Sequence, residues 1–189
     1  MNTDLSKFNN SWYRPGRGFF VRLLWHFTNA LFLQNPLNPS SGLKKVLLRL
    51  FGAKIGQGVV LKPSINIKYP WNLEIGEHSW IGEGVWLDSL AKISIGNNCC
   101  ISQGVYFCTG NHDWSDPAFG LVVKPIVIED GAWVGARATV LPGVTVKSHA
   151  IVSAGSVLSK DAEAFTIYVG NPAVIVKERL IREAVRREA

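Results

Sequence analysis

The chain has 189 residues, 47% of them hydrophobic, which is enough apolar surface for one domain with a continuous core. A net charge of +6 suggests a polyanionic partner, but the excess is local: residues 1–62 carry nine Lys and Arg against the single Asp4, whereas residues 63–173 carry six against ten acids. No base-reading module is interleaved with that charge, so a nucleic-acid partner is excluded, and Cys99, Cys100 and Cys108 lack the C-x-x-C spacing of a metal cluster.

In chain order, residues 1–54 form an N-terminal unit. Met1–Gly18 is polar and broken by Pro15, Gly16 and Gly18, which predicts a loosely held arm. Phe19–Leu33 is a dense apolar run of fifteen residues, too short to cross a bilayer. Arg22, His26 and Asn29, at i, i+4 and i+7, draw one polar stripe along this otherwise apolar helix. Such a helix either packs on the domain that follows or makes a peripheral membrane contact through residues 19–33. Pro36 and Pro39 stop it quickly, and a second amphipathic segment follows at Leu43–Phe51, ended by Gly52; both features favour packing. Reduced cysteines and the lack of a recognisable cleavable leader give a cytoplasmic expectation, at the inner membrane face if the helix binds there.

Residues 55–163 follow a six-residue period. Aliphatic residues return at Ile75, Ile81 and Leu87, at Ile95, Ile101 and Phe107, and again at Ile128, Val134 and Val140, each followed four places later by a compact residue such as Ser79, Cys99 or Ala132. One short strand and one tight turn fit such a period, and three periods close a triangular coil with the aliphatic residues inside. The compact residue is expected at the corner, where the backbone bends. Coil starts at Ile75 and Ile95 are 20 residues apart, three periods plus a two-residue bulge. A sandwich would need a period of two and hairpin turns, neither of which is present. The predicted fold is therefore mainly β, a parallel β-helix of about five coils, preceded by helices.

The loop 109–125 breaks the regularity. Ile95 to Ile128 is 33 residues where 20 is the rule, and insertions in repeat proteins map to the binding face. It opens with Thr109-Gly110-Asn111-His112-Asp113. His112 can accept a proton near neutrality, which makes it the candidate base; His78 and His149 fall at turns and are expected to be solvated. Three histidines placed to share a zinc ion are not found, so no metal is expected. Asp88, one coil before the loop, could bind acceptor hydroxyls together with Asn111 and Asp113.

These residues carry a resemblance. The period resembles the left-handed parallel β-helix of the hexapeptide-repeat acyltransferases. Thr109-Gly110-Asn111-His112 is similar to the galactoside and maltose acetyltransferase branch, whose loop histidine is the general base, a role that passes to His112. Gly52–Gly56, Lys68–Trp71 and Cys108–Trp114 are similar to the colanic-acid acetyltransferases of exopolysaccharide clusters. The resemblance implies acetyl-CoA as co-substrate, held between two subunits of a homotrimer. The matching donor positions are Trp133, Gly135, Ala136, Ala154, Gly155, Ser156, Ser159 and Lys160. Trp133, at a non-inward position, also reads as a wall for an acyl arm. The family's signature before a C-terminal helix is present as Gly170-Asn171-Pro172-Ala173, so a helix is expected within 164–189. The basic residue that should follow is Val174 here, leaving Lys177 or Arg179 for the nucleotide phosphates. The implied activity is O-acetylation of a sugar or exopolysaccharide intermediate, lipid-linked if the helix meets a membrane. The alternatives are a non-catalytic scaffold for polysaccharide assembly and a sugar-nucleotide N-acyltransferase.

Overall fold

The structure is a computed structural model that describes residues 2–182. Three parallel sheets make the faces of a triangular prism. The first face stacks Lys54–Ile55, Leu73–Ile75, Ile93–Ile95, Ile126–Ile128 and Thr145–Val146. The second stacks Val60–Leu61, Trp80–Ile81, Cys100–Ile101, Trp133–Val134 and Ile151–Val152, and the third ends on Thr139–Val140 and Val157–Leu158. Five coils are complete, and Thr166–Gly170 adds a partial sixth on the second face. In register, Ile55, Ile75, Ile95, Ile128 and Val146 form one buried ladder, so each coil's strands satisfy the next coil's backbone groups.

The compact residues do not make the bends as expected. Val59, Cys99, Ala132 and Ala150 all point inward and are buried. The bend falls one position earlier, at residues with positive φ: Gly58, His78, Asn98, Gly131, Arg137 and His149. A left-handed backbone is tolerated by Gly, Asn and His, which explains why those types recur at the corners. At Gly58 a glycine is also needed for space, since a Cβ there would lie 2.2 Å from the His78 ring of the next coil.

Helix α1 (Phe19–Thr28) runs directly into a π-helical turn, Asn29–Leu33, and α2 (Ser41–Leu50) follows, capped by the Ser40 hydroxyl. Together they cover the exposed edge of the first coil. Trp25 Nε1 donates to the Ile67 carbonyl at 2.8 Å, the Asn29 side chain accepts from Ile67 N at 3.3 Å, Ser41 Oγ accepts from Leu61 N at 2.9 Å, and Arg49 donates to the Ile55 carbonyl at 2.7 Å. The unpaired groups of a terminal coil are thus satisfied by helices, which also bury Leu33 and Leu48. The packing expected of the apolar helix is formed, but by one face only.

Two expectations need correction. The arm before α1 is not loose: Asp4 N donates to the Pro117 carbonyl at 2.8 Å, Tyr13 Oη to the Leu90 carbonyl at 2.8 Å and Trp71 Nε1 to the Pro15 carbonyl at 2.6 Å. The segment expected to be a C-terminal helix instead forms a hairpin, Thr166–Gly170 against Ala173–Glu178. The β-branched run Val174-Ile175-Val176 prefers a strand. Residues 183–189, where the same expectation continues, lie outside the described residues.

Candidate active site

The loop is itself a hairpin. Gly110–His112 pairs antiparallel with Leu121–Val123, placing His112 opposite Leu121. At its tip the Asp116 carboxylate accepts from Ala118 N and Gly120 N, and Phe119 adopts φ 52°. This geometry turns the Phe119 carbonyl onto His112 Nδ1 at 2.7 Å. A carbonyl can only accept, so Nδ1 carries the proton and Nε2 keeps its lone pair, the tautomer a general base requires.

His112 lines a cavity of about 490 Å³ whose other walls come from distant parts of the chain: Phe8 and Tyr13 from the arm, Arg22 from α1, Lys68 and Tyr69 from the first coil. The Phe8 ring lies 5.7 Å from the imidazole. None of these residues was legible as part of a site; the stretch Lys68-Tyr69-Pro70-Trp71 and the place of Arg22 in the polar stripe were the signals that touched any of them. The expected acceptor residues stand differently. Asn111 Oδ1 accepts from His112 N at 2.8 Å, orienting the strand. Asp113 holds the tip, where hydrogen bonds from the Ser115 hydroxyl and main-chain N–H keep its carboxyl below the usual carboxylate range. Asp88 is buried behind the cavity, its Oδ1 3.3 Å from Lys68 Nζ in an ion pair without hydrogen-bond geometry, while its carbonyl accepts from the Thr109 hydroxyl at 2.6 Å. It therefore positions Lys68 and the hairpin root, and does not line the cavity.

A second groove, about 640 Å³, crosses the later coils on the second face. It brings together the expected Trp133, Gly135, Ala136, Ala154 and Lys177, with Ser102 and Gln103 added from the coil before. The indole N–H of Trp133 donates to Ser102 Oγ at 2.9 Å, fixing the ring as a wall. Ser102 was legible in principle, because it stacks below Gly135 in the same register. Gly155 sits at the neighbouring corner with φ 70°. Ser159 and Lys160 follow the third-face strand Val157–Leu158 and do not line this groove. Of the two candidate cations, Arg179 is committed to the Gly131 and His149 carbonyls at 2.9 Å each, which leaves Lys177 for the groove. Among the described residues no cluster of three potential metal ligands occurs.

Known proteins share this fold and much of this sequence. The family model described as bacterial transferase hexapeptide (six repeats) matches residues 125–160. WcaF of Escherichia coli K12, assigned as an acetyltransferase of colanic acid biosynthesis, is 40% identical over 181 residues, 95% of this chain and 99% of its own. The hexapeptide-repeat acetyltransferase VCA0836 of Vibrio cholerae superposes with a TM-score of 0.76 at 26% identity, over 84% of this chain and 90% of that one. It has also been solved with acetyl coenzyme A. A maltose O-acetyltransferase of Clostridium difficile 630 gives a TM-score of 0.73 at 25% identity, covering 87% of this chain and 90% of that one. On its coil and these relatives, the chain belongs to the bacterial hexapeptide-repeat transferases and is an acetyltransferase built on a left-handed β-helix.

Proposed function

We propose that this acetyltransferase moves the acetyl group of acetyl-CoA directly to a sugar hydroxyl, with His112 as the general base. The observation that carries the reading is the bond from His112 Nδ1 to the Phe119 carbonyl, which leaves Nε2 free to take a proton. The acceptor oxygen attacks the thioester carbon while its proton passes to Nε2. A backbone N–H stabilises the oxyanion, the C–S bond then breaks, and the imidazolium returns the proton to the departing thiolate. The groove at Trp133 suits the donor: it is apolar at Ile151, Val169 and Val176, open to backbone at Gly135 and Ala136, and carries Lys177 for phosphate. At Gly135 a Cβ would meet Ala154 N at 2.5 Å, so the close approach of the coils there depends on glycine. The sugar acceptor is supported by what the relatives are: one acts on maltose and one is assigned to a polysaccharide pathway.

Among the described residues, the cavity at His112 and the groove at Trp133 share none. This favours a homotrimer in which the donor held by one chain meets His112 of its neighbour, the head-to-tail contact of a closed ring. A peripheral membrane contact is the second part of the proposal, supported by the outward face of α1, where Phe19, Phe20, Leu24 and Phe27 are exposed beside the exposed Arg14 and Arg17.

The test is transfer of labelled acetyl from acetyl-CoA to maltose and to galactosides. His112→Ala should lower kcat by ~10² to 10⁴, the usual worth of a positioned base, with acetyl-CoA affinity unchanged. A change confined to KM would remove His112 from the chemistry.

A further inference from the structure

Two members of the polar stripe, Arg22 and Asn29, turn toward the protein, while His26 between them is exposed. Asn29 is buried against the first coil, Arg22 is half-buried, and the outward side of the helix is the apolar one. Polar side chains facing a protein rather than water call for partners, and Asn29 has them in Asn66 and Ile67. Arg22 does not. Its Nε is buried without a hydrogen-bond partner, and among the described residues its side chain makes no ion pair. A buried N–H is ordinarily paired, because an unmatched donor forfeits its hydration.

Arg22 lines the His112 cavity together with Lys68, and among the described residues no Asp or Glu lines that cavity. The buried Asp88 offsets one of the two cations through Lys68, leaving the guanidinium uncompensated. The same three residues, Arg22, Lys68 and Tyr69, also border a second cavity of about 410 Å³, which continues along the helix past His26 and Gln34 to the Trp86 ring. The space beside His112 is thus a groove, with a cationic point one step from the base and aromatic walls beyond it. Aromatic faces of this kind suit the apolar faces of sugar rings.

We infer that the acceptor is an acidic glycan, whose carboxylate or phosphate is seated on Arg22 while a nearby hydroxyl is presented to His112. The inference rests on the acetyl-transfer reading of His112 and adds the charge class of the substrate. Arg22 is a binding residue in this scheme, since a planar guanidinium pairs with either oxyanion through two parallel N–H bonds.

Calorimetric titration of the full chain with glucuronate, glucose 1-phosphate and methyl glucoside tests it, in the wild type and in Arg22→Gln, Arg22→Lys and His112→Ala. At least one anion should bind the wild type ~10-fold or more tightly than the neutral sugar, as expected of a charge-assisted pair. His112→Ala should keep that preference, Arg22→Gln should lose it, and Arg22→Lys should retain part of it; the stronger of the two anions identifies carboxylate or phosphate as the group recognised. In turnover, Arg22→Gln should raise KM for methyl glucuronide and leave KM for acetyl-CoA unchanged. Anions that bind no better than methyl glucoside, or a preference that survives Arg22→Gln, would overturn the inference. If the anion preference holds but His112→Ala still transfers acetyl, the catalytic reading fails alone. If neutral sugars are acetylated through His112 and charge has no effect, the Arg22 inference fails alone.

Discussion

His112 owes its readiness to a neighbour that no substitution can remove, the main-chain carbonyl of Phe119, aimed by a turn whose shape Asp116 holds. The candidate residue was legible in the sequence, because a thirteen-residue excess in an otherwise fixed period draws attention to whatever opens it. Arg22, Tyr13 and Phe8 were not legible as site residues, since only docking of the arm brings them to the hairpin. Asp130 shows the same kind of long-range dependence. Its carboxylate accepts from Asn97 N at 2.7 Å and from the Asn97 amide at 3.1 Å, and these bonds hold its carboxyl below the usual carboxylate range. A depressed folded-state pKa contributes stability above the unfolded value, and that contribution is lost as pH falls through the folded one. Asp130→Asn should therefore melt at a lower temperature than the wild type near neutrality, and the difference should shrink below about pH 4. Thermal scans across pH check this; a pH-independent difference would assign the bond no ionic part.

At the scale of elements, the β-helix followed from its period, whereas the resemblance led to a helix after Ala173, where the strand preference of Val174–Val176 gives a strand as far as Glu178. The bends were assigned one residue late, because period alone cannot tell the residue that turns from the residue that then points inward. Helix α1 shows what periodicity does and does not reveal: its polar stripe was visible, but the direction the stripe faces depends on packing. The outward apolar face, with Phe20 80% and Leu24 61% exposed, continues over the connecting segment to Leu37 at 87%. If an anionic membrane covers it, the intact chain should sediment with anionic vesicles at low salt, each nearby cation adding ~1 kcal/mol, and should be released at high salt. Neutral vesicles should retain less. Absence from every pellet, or salt-insensitive self-association instead, would contradict a membrane contact.

For the whole molecule, the proposed reaction is divided between two surfaces of one chain, with the candidate base on the hairpin at the third face and the candidate donor groove on the second face. How they meet depends on how copies associate, which the residues show only through resemblance, as a donor held between two subunits. The most direct test is complementation between two inactive variants. His112→Ala removes the base, and Ala154→Trp fills the donor groove at an exposed position without touching the core. Each should be inactive alone. Co-refolded in equal amounts, a ring with the site between subunits should recover about a quarter of wild-type kcat per chain, since that share of interfaces pairs an intact His112 with an intact groove. Mixed trimers, verified by light scattering, that recover no activity would contradict the shared site.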